Sequence, residues 1–129
     1  ELGKNRAVVY SENVRKVVRR RIGLLHKIRL ALERNELELF FQPKVSLDSF
    51  LITGVEALIR WRTAENEIIG PDEFIPLVEK NNLIIELGDW VIEEACRWLR
   101  TWHEHGFSQL TMAVNLSARQ FLDPDLVDK

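Results

Sequence analysis

An α/β fold is predicted by three features of this sequence. Residues 37–46 and 55–61 alternate their side chains with a period of two, as strands do. Leu87, Val91, Ala95, Trp98 and Trp102 recur at helical spacing, so a long helix is predicted over about 84–105. Leu110 to Leu116 is again a short apolar run, a second buried strand on the far side of that helix.

The elements follow in order. Gly3 to Tyr10 reads as a turn followed by a short β-rich run. Ser11 suits the N-cap of a helix to about residue 34, because its hydroxyl can accept an exposed first-turn amide. Leu24, Leu25, Ile28 and Leu32 carry the apolar stripe of that helix, and Arg34-Asn35 suits its end. Leu37, Leu39 and Phe41 alternate with Glu38, Phe40 and Gln42 in a strand to about Ser46. Asp48-Ser49 is a turn, so the next strand is expected as an antiparallel hairpin partner. Thr63 to Gly70 is polar and loop-like. Pro71 opens a helix to about Lys80, where Asn81-Asn82 breaks it. The long helix carries Glu93 to Arg97 and Arg100 to Glu104 as i,i+4 pairs and ends at Gly106. Asp123-Pro124-Asp125 begins a further helix.

Composition narrows the class. The chain has 129 residues, 46% hydrophobic and 29% charged, which suits a globular core and excludes disorder. Residues 1–34 carry ten Lys/Arg against three acids, +7, and the rest eight against seventeen, −9, together −2. Arg15, Lys16, Arg19 and Arg20 read as the solvated face of a linker helix whose apolar side holds Val14, Val17, Val18 and Ile22, rather than as a nucleic-acid surface. The single Cys96 excludes an internal disulfide, fits the cytoplasm and is expected to be buried in its helix. No apolar run approaches the roughly 18 residues of a membrane span.

The run Val55-Glu56-Ala57-Leu58-Ile59-Arg60-Trp61 carries the functional signal. Val55, Ala57, Ile59 and Trp61 share one face, and Glu56, Leu58 and Arg60 the other. Buried charge is costly unless paired or ligating. Glu56 and Arg60 would lie roughly 13 Å apart in an ideal strand, so each needs its own partner. A metal for Glu56 and a phosphate for Arg60 would satisfy both. His103 and His105, at i,i+2, fall on different helix faces and read as a polar helix end rather than a metal pair.

Glu56-Ala57-Leu58 with Ile59-Arg60-Trp61 resembles the signature of EAL domains, the phosphodiesterases of the bacterial second messenger cyclic di-GMP. Phe40-Phe41-Gln42-Pro43-Lys44 resembles the block on that family's first barrel strand, with Phe41 where Tyr is common. The run Gly70 to Leu77, the run Gly88 to Val91 and the run Ala113 to Ala118 resemble later blocks in the family's order. Residues 1–10 resemble the last strand of a GGDEF domain, the cyclic di-GMP cyclase fold. The resemblance implies a GGDEF remnant at 1–10, a linker helix at 11–23 and the N-terminal half of an EAL domain at 24–129. It implies a modified TIM (β/α)8 barrel, which needs roughly 250 residues. The family's other metal-binding acids, its catalytic lysine and its Asp-Asp-Phe-Gly loop have no counterpart here.

By that resemblance Glu56 and Asn115 would ligate Mg2+ or Mn2+, and Gln42 and Arg60 would hold cyclic di-GMP. Hydrolysis to linear pGpG by metal-activated water is the implied reaction, with this chain alone inactive. The alternative is a non-catalytic cyclic di-GMP receptor. Taken singly, the residues leave other readings open. Glu56 suits a solvent-facing strand acid, Asn115 a turn former, Arg60 a salt bridge to a helix, and Gln42-Pro43 a strand end. A half-barrel leaves sheet edges and apolar helix faces bare, so a dimer or higher oligomer is expected, with Trp90, Trp98 and Trp102 as contributors.

Overall fold

Two strands, β1 (Leu37–Val45) and β2 (Ile52–Arg62), form the antiparallel hairpin around which the computed structural model is built. The structure describes residues 12–124 and 126, without the side chains of 12–14, 17 and 18. The β-rich run before Tyr10, the Ser11 cap and the Val14–Val17–Val18 stripe lie outside the described residues. So does Asp125 of the expected last helix; a 3-10 turn over Gln120–Leu122 stands just ahead of it.

The hairpin alternates as its sequence demands. Val55, Ala57 and Trp61 are buried, whereas Glu56, Leu58 and Arg60 are half-buried on the other face. β1 covers one edge of β2. The other edge takes two short strands, β3 (Ile68–Ile69) and β4 (Thr111–Val114). β3 pairs antiparallel with Trp61 and Arg62, and β4 pairs parallel with Gly54 to Ala57. β3 corrects the expectation of a plain loop between Thr63 and Gly70. A turn through Thr63 and Asn66, with Asn66 at φ 63°, folds Ile68-Ile69 back onto β2, and Ile69 enters the core.

Among the described residues lie three α-helices: α1 (Glu12–Glu33), α2 (Pro71–Lys80) and α3 (Ile84–Glu104). α1 ends at Glu33, and Asn35 just beyond it, at φ 55°, is the left-handed stop that Asn tolerates well. Leu24, Ile28 and Ala31 of α1 pack with Trp61, Phe74, Val78 and Leu87 in the larger core. Ile22, read above as part of the apolar side, is 66% exposed. Arg20 ties α1 to the β3–α2 region, reaching Glu73 at 2.9 Å and Glu67 at 3.2 Å. These bonds, Glu73 first, hold its guanidinium pKa above the ordinary value.

Trp61 anchors the centre. It is fully buried, donates its indole N–H to Glu36 at 3.0 Å and meets Phe74 edge-on. Burying a side chain of Phe size contributes roughly 1.5–3 kcal/mol, and the satisfied N–H removes the cost of a lone buried donor. α3 lays Val91 and Ala95 on Leu39 and Ala57 in a smaller core. Cys96, expected to be buried, is exposed. It sits one residue past Ala95, about 100° around the helix from the buried stripe. Arg97 pairs with Glu94 rather than Glu93, since i,i+3 neighbours meet as readily as i,i+4. Arg100 pairs with Glu104 at 3.1 Å, as its spacing predicts. Trp98 and Trp102 meet Phe41 edge-on, their ring centroids 5.7 and 4.8 Å from it.

Candidate functional site

Register assembles the site. Gln42 stands opposite Glu56 in the antiparallel pair, and Glu56 stands beside Ala113 in the parallel pair. Directly paired residues share a face, so Gln42, Glu56 and Ala113 lie on the sheet surface that α2 and α3 leave uncovered. Phe40 and Leu58 are the next pair along, and Glu38 and Arg60 the next. Asn115 follows one residue after β4 ends, at the C-terminal end of a strand parallel to β2.

The four sequence-predicted residues divide into one contacting pair and two flanking groups. Asn115 Nδ2 donates to Glu56 Oε1 at 2.8 Å. The other Glu56 oxygen, Oε2, faces Lys44 Nζ at 3.9 Å. Both partners of that ion pair are substantially exposed, so it contributes about 0–1 kcal/mol. Arg60 makes no salt bridge to a helix among the described residues. Its guanidinium lies over the Phe40 ring, 5.5 Å from the centroid, and donates to the Ile59 carbonyl at 2.8 Å. Gln42 is exposed beside Glu56.

Oxygen donors dominate this corner: a carboxylate on Glu56 and an amide oxygen on Asn115. Such hard donors suit Mg2+ or Mn2+ rather than a thiophilic metal. The pair is a partial donor set, since no group of three or more His, Cys, Asp or Glu comes together among the described residues. His103 and His105 hold backbone carbonyls, of Leu110 at 2.8 Å and Thr101 at 2.7 Å, and so finish α3 as a polar helix end.

A pocket of about 250 Å³ lies beside the pair, bordered by Asn115, Ser117, Glu79 and Gln120 with Leu58 and Leu87. Glu56, Gln42 and Arg60 do not line it, so the candidate site is the open sheet face. Sequence reasoning missed Lys44 as a partner of Glu56 and Phe40 as the platform for Arg60. Strand alternation carried that signal: Lys44 lies two residues from Gln42, and Phe40 pairs with Leu58 between Glu56 and Arg60.

Comparison with known proteins decides the family. The family model described as the EAL domain matches residues 25–129. This chain belongs to the EAL domain family. Its α/β architecture is that of EAL domains, a TIM-barrel type, with the sheet open. The chain is 42% identical over 126 residues to the bifunctional diguanylate cyclase/cyclic di-GMP phosphodiesterase MucR of Pseudomonas aeruginosa, across 98% of this chain and 18% of that protein. It is 37% identical over 127 residues to the cyclic di-GMP phosphodiesterase NbdA of the same species, across 98% of this chain and 16% of that protein. The chain thus spans under a fifth of these two relatives. Among solved structures, the MucR phosphodiesterase in complex with c-di-GMP matches with a TM-score of 0.78 and 48% identity, over 82% of this chain and 43% of that one. The FimX EAL domain of Xanthomonas citri shares the fold, with a TM-score of 0.73 and 24% identity over 88% of this chain and 44% of that one. Among the described residues of this EAL chain, no helix is long and apolar enough to cross a membrane.

Proposed function

We propose that this chain supplies part of the active site of a cyclic di-GMP phosphodiesterase that releases linear pGpG. The 2.8 Å contact between Glu56 and Asn115 on the uncovered sheet face carries the reading. Relatives and a structural neighbour named for cyclic di-GMP support it. Glu56 and Asn115 would hold a divalent metal, Mg2+ or Mn2+. When bound, such a cation neutralises the phosphodiester and lowers the pKa of the attacking water.

The chain's own residues orient the substrate. A guanidinium held over the Phe40 ring has further N–H groups for a phosphate oxygen, a use that favours Arg over Lys. Gln42 offers an amide donor and acceptor beside Glu56. Lys44 balances the Glu56 carboxylate from the opposite strand. The proposed organisation is a GGDEF remnant at 1–10, a linker helix at 11–23 and the first half of an EAL domain from 24, acting in the cytoplasm.

The roles separate on metal dependence. In a chain that carries this sequence within a complete barrel, Glu56→Ala should lower turnover at least about a hundredfold and recover part of it at raised Mn2+. Arg60→Ala should raise KM and gain nothing from added metal. Equal metal dependence of the two variants would overturn the assignments. Binding of cyclic di-GMP without hydrolysis in the unaltered protein would favour a receptor. The 129-residue chain by itself should form no pGpG, because Glu56 and Asn115 are only part of a two-metal donor set.

A further inference from the structure

The loop after β4 is held from behind by hydrogen bonds that reach α2 and the Asn82 turn that follows it. Ser117 Oγ donates to Glu79 Oε1 at 2.6 Å, and both groups are partly buried. The Arg119 guanidinium donates to the Glu79 carbonyl and, at 3.0 Å, to Asn82 Oδ1. The last carbonyls of a helix lack intrahelical partners, and a cation there also complements the helix dipole. Arg119 therefore caps α2, and two bonds from one loop converge on Glu79.

The other side of the loop is gripped by Gln120, which is 3% exposed. Its Oε1 accepts the Ser117 N–H at 2.9 Å. Ser117 is thus fixed at its amide by Gln120 and at its hydroxyl by Glu79. Asn115, bonded to Glu56 at 2.8 Å, is only two residues away. Two residues of chain span at most about 7 Å, so displacement of Ser117 passes to Asn115 with little slack.

We propose that Glu79 is a positioning residue for Asn115: acting through the Ser117 hydroxyl, it fixes the loop so that the Asn115 amide, whose Nδ2 meets Glu56 Oε1 here, stands beside Glu56 with its oxygen available to a shared metal. This rests on reading Glu56 and Asn115 as the metal-binding pair. The geometry asks Glu79 only for a hydrogen-bond acceptor. An amide oxygen serves as well, so Glu79→Gln separates positioning from direct ligation by charge.

The test uses a chain that carries this sequence within a complete barrel, with Mn2+ affinity by calorimetry, KM and kcat for cyclic di-GMP, and melting temperature. Glu79→Ala and Ser117→Ala should each weaken Mn2+ binding about tenfold, the usual cost of losing a partner behind a ligand. KM at saturating metal should stay within about twofold, and Glu79→Gln should restore Mn2+ affinity to within about twofold. The Glu79→Ala/Ser117→Ala double variant should bind no more weakly than Ser117→Ala alone, because Glu79 acts through that hydroxyl, which also accepts the Arg119 N–H. If Glu79→Ala melts far below the unaltered protein, Ser117→Ala and Glu79→Gln carry the comparison. Unchanged Mn2+ affinity in Ser117→Ala, additive losses in the double variant, or a Glu79→Gln as damaged as Glu79→Ala would each overturn the proposal. An unaltered protein that binds no Mn2+ would instead overturn the metal reading and the proposal together.

Discussion

Phe50 occupies a backbone conformation that its side chain does not favour. It sits in the turn between β1 and β2 at φ 58°, and it is 79% exposed. A left-handed conformation costs an L-residue roughly 1–2 kcal/mol, and an exposed ring recovers little of that by packing. Glycine adopts this region freely but loses more entropy on folding. Phe50→Gly should therefore raise stability by about 0.5–1 kcal/mol, read as an upward shift of the denaturation midpoint at unchanged slope. A lower midpoint would mean that the ring has a packing partner in solution. Asn35, Asn66 and Asn82 hold the same conformation with a residue that tolerates it. The Asn81-Asn82 break was therefore legible in the sequence. Phe50 was not, because an aromatic carries no turn signal. Glu56 and Arg60 were legible for a different reason: charge on an otherwise apolar strand must be matched by something. The match for each, Asn115 with Lys44 and Phe40, depends on register, which the sequence does not state.

At the scale of elements, α2 and α3 follow the sequence closely, since Pro71, Asn81-Asn82 and Gly106 punctuate them and apolar residues recur along both. β3 escaped notice because two residues show no period. Gly88 shows the further limit. In the sequence it opens a familiar block, yet nothing there says why it is glycine. In the structure a Cβ at Gly88 would stand 1.9 Å from Gln120 Nε2, on a side chain that is 3% exposed. That nitrogen has no hydrogen-bond partner among the described residues, so the close approach already leaves a buried donor unsatisfied. Gly88→Ala should cost roughly 1–3 kcal/mol through overpacking, despite the better helix propensity of alanine. Adding Gln120→Ala should remove part of that cost, because the clash is with this one side chain. Midpoints from chemical denaturation of the two singles and the double decide it. Additivity would show that Gln120 swings aside and that the contact is not tight.

At the scale of the whole molecule, the described residues leave two kinds of surface uncovered. One is the sheet face carrying Glu56, flanked by the outer edges of β1 and β4, which pair with no further strand among the described residues. The other is apolar and lies at the chain turns. Leu47 is 84% exposed and Leu51 67%, beside Phe50, while Phe121 and Leu122 after β4 are 69% and 83% exposed. The sequence had placed the association surface on Trp90, Trp98 and Trp102. Trp98 meets Phe41 edge-on yet stays 41% exposed, and Trp90 packs against both cores, so the turn residues stand beside the tryptophan helix as a second candidate surface. Bare strand edges and clustered apolar side chains both drive pairing with a second chain. The 129-residue chain should therefore form a dimer or larger assembly at micromolar concentration, measured by light scattering behind size exclusion. Replacing Leu47 and Leu51 with Lys discriminates between the two surfaces. If the hairpin turn is the contact, the double variant should be largely monomeric at the same concentration. If association runs along the strand edges, the variant should associate as before. A compact monomer that melts cooperatively without any substitution would remove the association argument, and would make this four-stranded sheet with its three helices an independent folding unit.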